Sequence, residues 1–138
     1  MSNHITASVE FFFRGNKIAT SIELDLDKHM QTTGKIPALF PLLAKASNLD
    51  VYSYEYEMMQ AEEIIFSNAE GLVADYVSYG KFDIEAFTEA WIEKKLFEEL
   101  QTIARQNLSV HDLENQPELK QALIEAYRLG ERNAQIQK

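Results

Sequence analysis

Apolar and polar positions alternate from the first residues. Ile5, Ala7, Val9, Phe11 and Phe13 interleave with Thr6, Ser8, Glu10 and Phe12, the period of two that marks a half-buried strand. After Arg14-Gly15-Asn16-Lys17 the alternation resumes, with Ile18, Thr20, Ile22, Leu24 and Leu26 set against Ala19, Ser21, Glu23 and Asp25. Gly15-Asn16 suits a two-residue primed turn, so the chain opens with a β-hairpin. Closing the turn there places Phe13 opposite Ile18, Phe11 opposite Thr20, Val9 opposite Ile22 and Ile5 opposite Leu26. One face is then apolar and the other polar except for Phe12, which lies on the polar face beside Ala19.

The alternation lapses into a loop over Lys28–Lys35, and Pro37 and Pro41 bracket an apolar run. Proline is tolerated in a first helical turn, so a short helix is predicted from about Pro37 to Ala46, with Asn48 as its left-handed stop. From Val51 to Phe66 two periods compete. Tyr52, Tyr54, Tyr56 and Met58 alternate with Ser53, Glu55 and Glu57, whereas Val51, Tyr54, Met58, Ala61 and Ile65 fit a helical stripe. Tyrosine-rich alternation favours a strand over 51–58, with Glu62–Phe66 continuing it or forming a fourth.

The remainder reads as helix. Ser67-Asn68-Ala69-Glu70 has the form of a capping box before a helix that Gly80 would stop. Asp83 can cap a long helix from Ile84 to about Asn107, its apolar side formed by Phe87, Trp91, Leu96, Leu100, Ile103 and Ala104. A last helix begins near Pro117 and ends before Gly130, leaving 133–138 as a frayed tail. The expected architecture is one α+β domain over residues 1–138. An N-terminal hairpin joins a three- or four-stranded antiparallel sheet with helices packed on one face, in the order β-β-α-β-α-α-α. The first or third strand would lie at an edge, which permits pairing into a homodimer.

Composition narrows the function classes. The 138 residues suit a single domain that folds without metal or disulfide, and the absence of cysteine excludes thiolate chemistry. No basic segment leads into an apolar run near Met1, and no run is long enough for a membrane span, so the expected location is cytoplasmic. A formal net charge of −9 disfavours direct binding to nucleic acid or anionic lipid. That charge is concentrated. Asp50, Glu55, Glu57, Glu62, Glu63, Glu70 and Asp75 fall between Lys45 and Lys81 without one intervening basic residue.

Two clusters are candidates for chemistry. The hairpin register sets His4 opposite Asp27, with Asp25 and His29 two residues to either side, a nitrogen and oxygen ligand set suited to a divalent metal as cofactor. The second is an acidic, aromatic surface carrying Glu55, Glu57, Glu62 and Glu63, with Phe12 as an exposed contact, which would attract a basic protein partner. Ser109-Val110-His111-Asp112 reads as a helix start capped by Ser109, and the five scattered glycines form no phosphate loop. The function expected is therefore a non-enzymatic interaction or regulatory module that binds a partner through this surface or through a sheet edge. The alternative is a metal-binding protein or metal-dependent enzyme.

Overall fold

The computed structural model describes residues 2–136 and has the α+β architecture, with an antiparallel three-stranded sheet in the order β2-β1-β3. Strands β1 (His4–Phe13) and β2 (Asn16–Asp25) form the hairpin, and β3 (Ile65–Glu70) pairs with the other side of β1. The first strand is therefore central and not the edge expected; the second strand lies at an edge because the chain returns to β1. The chain divides into two compact units, Met1–Ala90 and Trp91–Lys138.

The hairpin turns one residue earlier than its Gly-Asn pair suggests. Arg14 and Gly15 are the two loop residues, with φ of 54° and 79°, the doubly positive pattern of a type I′ turn. Phe11 consequently faces Ile18, Val9 faces Thr20 and Ile5 faces Leu24, two residues out of the expected register. A shift of two leaves every side chain on its face, so alternation alone could not distinguish the two pairings. Arg14 is held at the turn with its guanidinium 5.2 Å from the centre of the Phe13 ring.

The strand also ends sooner than its apolar pattern. Asp25 caps helix α1 (Leu26–Thr33), accepting from the Lys28 N–H, and Gly34 closes it at φ 73°. The segment expected as a loop is thus helical, and Leu26 and Met30 bury its inner side. Helix α2 (Leu39–Ala46) matches the expected short helix, carries Pro41 in its first turn and is followed by Asn48 at φ 57°.

The expected strand over 51–58 is instead a helix. Ser53 accepts from the Tyr56 N–H and caps α3 (Tyr54–Gln60), which buries Tyr56 and Met59. Val9 and Phe11 of β1, Leu43 and Ala44 of α2, and Tyr56 and Met59 of α3 form one buried cluster over the apolar face of the sheet. Fully burying side chains of this size contributes about 1.5–3 kcal/mol each, which outweighs the strand propensity of three tyrosines.

The expected helix behind Ser67 is likewise absent. Ser67 lies in β3, opposite Thr6, and Glu70 lies opposite His4 across a bulged register. A 3-10 turn (Leu72–Tyr76) and a small ribbon of β4 (Val77–Ser78) and β5 (Lys81–Phe82) follow. Asn68 at φ 53° and Gly71 at φ 92° break any helix there.

Helix α4 (Ile84–Leu108) starts as expected, with Asp83 accepting from the Ala86 N–H and Phe87 buried. Within the second unit, Leu100, Ala104, Val110 and Leu113 form a core joined by Leu119 and Leu123 of helix α5 (Pro117–Ile136). Ile103, expected on the apolar side, is exposed. Ser109 is not a cap but a left-handed residue at φ 55°, and Asp112 itself caps the 3-10 turn Leu113–Asn115. Gly130 does not stop α5, which continues through 133–136; residues 137 and 138 of the expected tail lie outside the described residues. The observed order is β1-β2-α1-α2-α3-β3-β4-β5-α4-α5 with the two 3-10 turns, against the simpler order expected.

Candidate functional site

The structure disperses the expected metal ligands. His4 faces Asp25, not Asp27, because of the register. Asp25 spends its carboxylate on the α1 cap. Asp27 accepts two hydrogen bonds from Asn3, and His29 sits in the middle of α1. Among the described residues no group of three or more His, Asp or Glu side chains is arranged to hold a metal ion.

The acidic, aromatic segment keeps its character but is built differently. In a strand Tyr52, Tyr54 and Tyr56 would share a face; here Tyr52 is 93% exposed and Tyr54 74%, while Tyr56 is 8% exposed and packs inward. Asp50 shapes the loop before the helix by accepting from the Tyr52 N–H through Oδ1 and from the Ser53 hydroxyl through its carbonyl. Glu57 is exposed on α3 and Glu55 half-buried, while Glu62 and Glu63 are exposed on the connection to β3. Phe12 is 64% exposed on the polar face of the hairpin, opposite Lys17 and not beside Ala19 as expected.

Glu62 and Glu63 border a groove of about 850 Å³ in the first unit. Phe40 and Pro41 of α2, Tyr56 of α3, Phe66 of β3 and Phe82 of β5 line it. Its aromatic wall is ordered edge to face. The Phe66 and Phe82 rings lie 5.4 Å apart at 74°, and Phe82 stands in turn 5.6 Å from the buried Phe87. The residues with polar side chains at the groove are Tyr56, Gln60, Glu62, Glu63 and Lys81, so carboxylates outnumber cations. The same two glutamates also border a smaller depression of about 510 Å³ beside Ser8, Val9, Glu10 and Ile65.

Sequence reasoning found the two glutamates and missed the groove. Pro37 and Pro41 marked the helix that forms one wall, but assigning 67–80 to a helix hid the approach of Phe66 to Phe82. The local signal for it was Gly80, which with the left-handed Tyr79 closes the ribbon carrying Phe82, and the Phe66 N–H bonds to the Gly80 carbonyl.

The chain matches no family model, and no curated protein or solved structure is significantly similar to it. No helix among the described residues is long and apolar enough to cross a membrane.

Proposed function

We propose that this chain is a non-enzymatic, cytoplasmic interaction module that docks a short segment of a partner protein in the groove between α2, α3 and β3. The observation that carries this reading is the juxtaposition of an aromatic, apolar trough with two exposed carboxylates, Glu62 and Glu63, at its border. Such a site suits a segment whose aliphatic or aromatic anchors enter the trough while flanking Lys or Arg residues meet the glutamates. The wider surface reinforces the selection, since the first basic residue after Lys45 is Lys81. Anchors supply affinity through burial, and the charges chiefly raise the encounter rate and reject acidic competitors. The same charge works against nucleic-acid phosphates.

The test is selection of random displayed peptides on the immobilised full chain. Enriched peptides are expected to carry apolar anchors flanked by basic residues. Their binding should weaken about tenfold in the Glu62→Lys/Glu63→Lys variant and fall with added salt. Enrichment of acidic peptides, or binding indifferent to both changes, sinks this reading.

A further inference from the structure

The free side of β2 is a second, independent surface. The two-residue turn makes Phe13 and Asn16 a hydrogen-bonded pair, so bonding and non-bonding pairs alternate from there. Ile18, Thr20, Ile22 and Leu24 therefore bond to β1, while Lys17, Ala19, Ser21 and Glu23 turn their N–H and C=O groups outward. In the sheet order β2-β1-β3 that outward side is an edge, and all four outward residues have exposed side chains.

Edges of this kind are usually blunted by proline, a bulge, charged side chains, an inward-pointing charge, short length or a covering element. β2 is 10 residues long, contains no proline, runs in unbroken register with β1, and points Ile18, Thr20 and Ile22 inward. Short of the capping Asp25, its charges are Lys17 and Glu23, of opposite sign and symmetric about Thr20. Charges placed so do not repel a second copy; they match one.

We propose that β2 pairs antiparallel with the β2 of a second copy of this chain, about a two-fold axis through Thr20. Lys17 then lies opposite Glu23 of the other copy, Ile18 opposite Ile22, Ala19 opposite Ser21, and Thr20 opposite itself. The outward residues make about eight backbone hydrogen bonds, and two three-stranded sheets become one of six strands. Ile18 and Ile22, half-buried in the single chain, gain each other's cover. Sliding the pairing two residues either way sets Glu23 opposite Gly15 or Ala19, so the ion pairs fix one register. Lys17 already lies 3.4 Å from Glu10 of its own hairpin and would bridge two carboxylates.

Sedimentation equilibrium of the full chain, from about 5 to about 500 μM, tests the pairing. The expected result is a species of twice the 15.9 kDa chain mass at the upper concentrations. Lys17→Glu and Glu23→Lys should each weaken dimerisation at least tenfold, because each sets like charges face to face. An equimolar mixture of these two variants should dimerise again, since both facing pairs are then complementary. Circular dichroism of each variant checks that the fold is intact. Amide exchange supplies a second readout: protection of Lys17, Ala19, Ser21 and Glu23 should rise with concentration in the unsubstituted chain. A chain that remains monomeric at every concentration overturns the proposal and leaves the edge to a strand from a different protein. A dimer indifferent to both substitutions, or a mixture that fails to restore it, also overturns it.

Discussion

Asn3 and Asp27 hold each other through two parallel hydrogen bonds of 2.8 Å, from the Asn3 backbone N–H to Asp27 Oδ2 and from Asn3 Nδ2 to Asp27 Oδ1. Asn3 is 5% exposed and has further partners: its side-chain oxygen accepts from the Val73 N–H, and its carbonyl from the Leu26 N–H. One buried amide thereby ties the start of β1 to α1 and to the turn after β3. Bonds to a carboxylate are worth about 1.5–3 kcal/mol, and removing it strands two donors in a partly buried site. Asp27→Ala should cost about 2–3 kcal/mol in urea unfolding, with an unchanged m-value. His29→Ala, on the same helix, should cost less than about 1 kcal/mol. Equal losses would instead fit a shared site for the two side chains.

Gly71 is the position where that junction tolerates no side chain. Its φ is 92°, and an added Cβ would stand 2.5 Å from the Ser2 carbonyl oxygen and 2.7 Å from Asn3 Oδ1. Gly15 has a similar φ of 79° but nothing within 4 Å of the same added atom. The pair separates backbone strain from collision. Gly15→Ala should cost about 1–2 kcal/mol, the left-handed penalty alone, and Gly71→Ala clearly more, about 3 kcal/mol or above. Thermal unfolding of both variants checks the difference; equal shifts would place the Gly71 effect in φ and not in contact.

The elements that were legible in the sequence are those where a local signal and the tertiary partner agree. The faces of the hairpin, the start of α4 at Asp83 and the start of α5 at Pro117 are of this kind. The failures share one cause, a local pattern that serves two structures. Alternation in β1 and β2 is satisfied by two registers, and the choice fell to Arg14, whose φ of 54° no periodicity reveals. Ser67 and Glu70 spell a capping box, yet pairing with Thr6 and His4 of β1 claimed them for a strand. Of the candidate site, the acidic residues were visible as a charge run. The groove was not, because it is made where Phe66 and Phe82, distant in sequence, meet across β3 and the ribbon.

In the second unit a single side chain organises the link between α4 and α5. Gln101 donates through Nε2 to the Val110 carbonyl at 3.0 Å and accepts through Oε1 from the Leu113 N–H at 2.6 Å. Val110 and Leu113 are both in the core that these bonds align. Gln101→Ala removes a donor and an acceptor and should cost about 1–3 kcal/mol. Trp91, the sole tryptophan, lies in this unit and reports its unfolding by fluorescence. Faster exchange of the Leu113 amide is expected in the same variant, and unchanged exchange would show that the link holds by packing alone.

Three tyrosines of the acidic segment, Tyr52, Tyr54 and Tyr56, separate helix from strand by energetics alone. In a strand Tyr52, Tyr54 and Tyr56 would share one face, and truncating any of them would cost similar amounts. In α3 only Tyr56 reaches the core, packed with Met59, Leu43 and Phe11. Tyr56→Ala should therefore cost about 3–5 kcal/mol, the range for emptying a buried aromatic site, and Tyr52→Ala and Tyr54→Ala no more than about 0.5 kcal/mol. Ser53→Ala should add a loss of about 1 kcal/mol, because its hydroxyl caps the helix at the Tyr56 N–H. That last term decides the matter independently of packing, since a serine within a strand has no helix end to satisfy. Comparable losses at all three tyrosines together with a neutral Ser53→Ala would return the segment to a strand, and would remove Tyr56 from the wall of the groove.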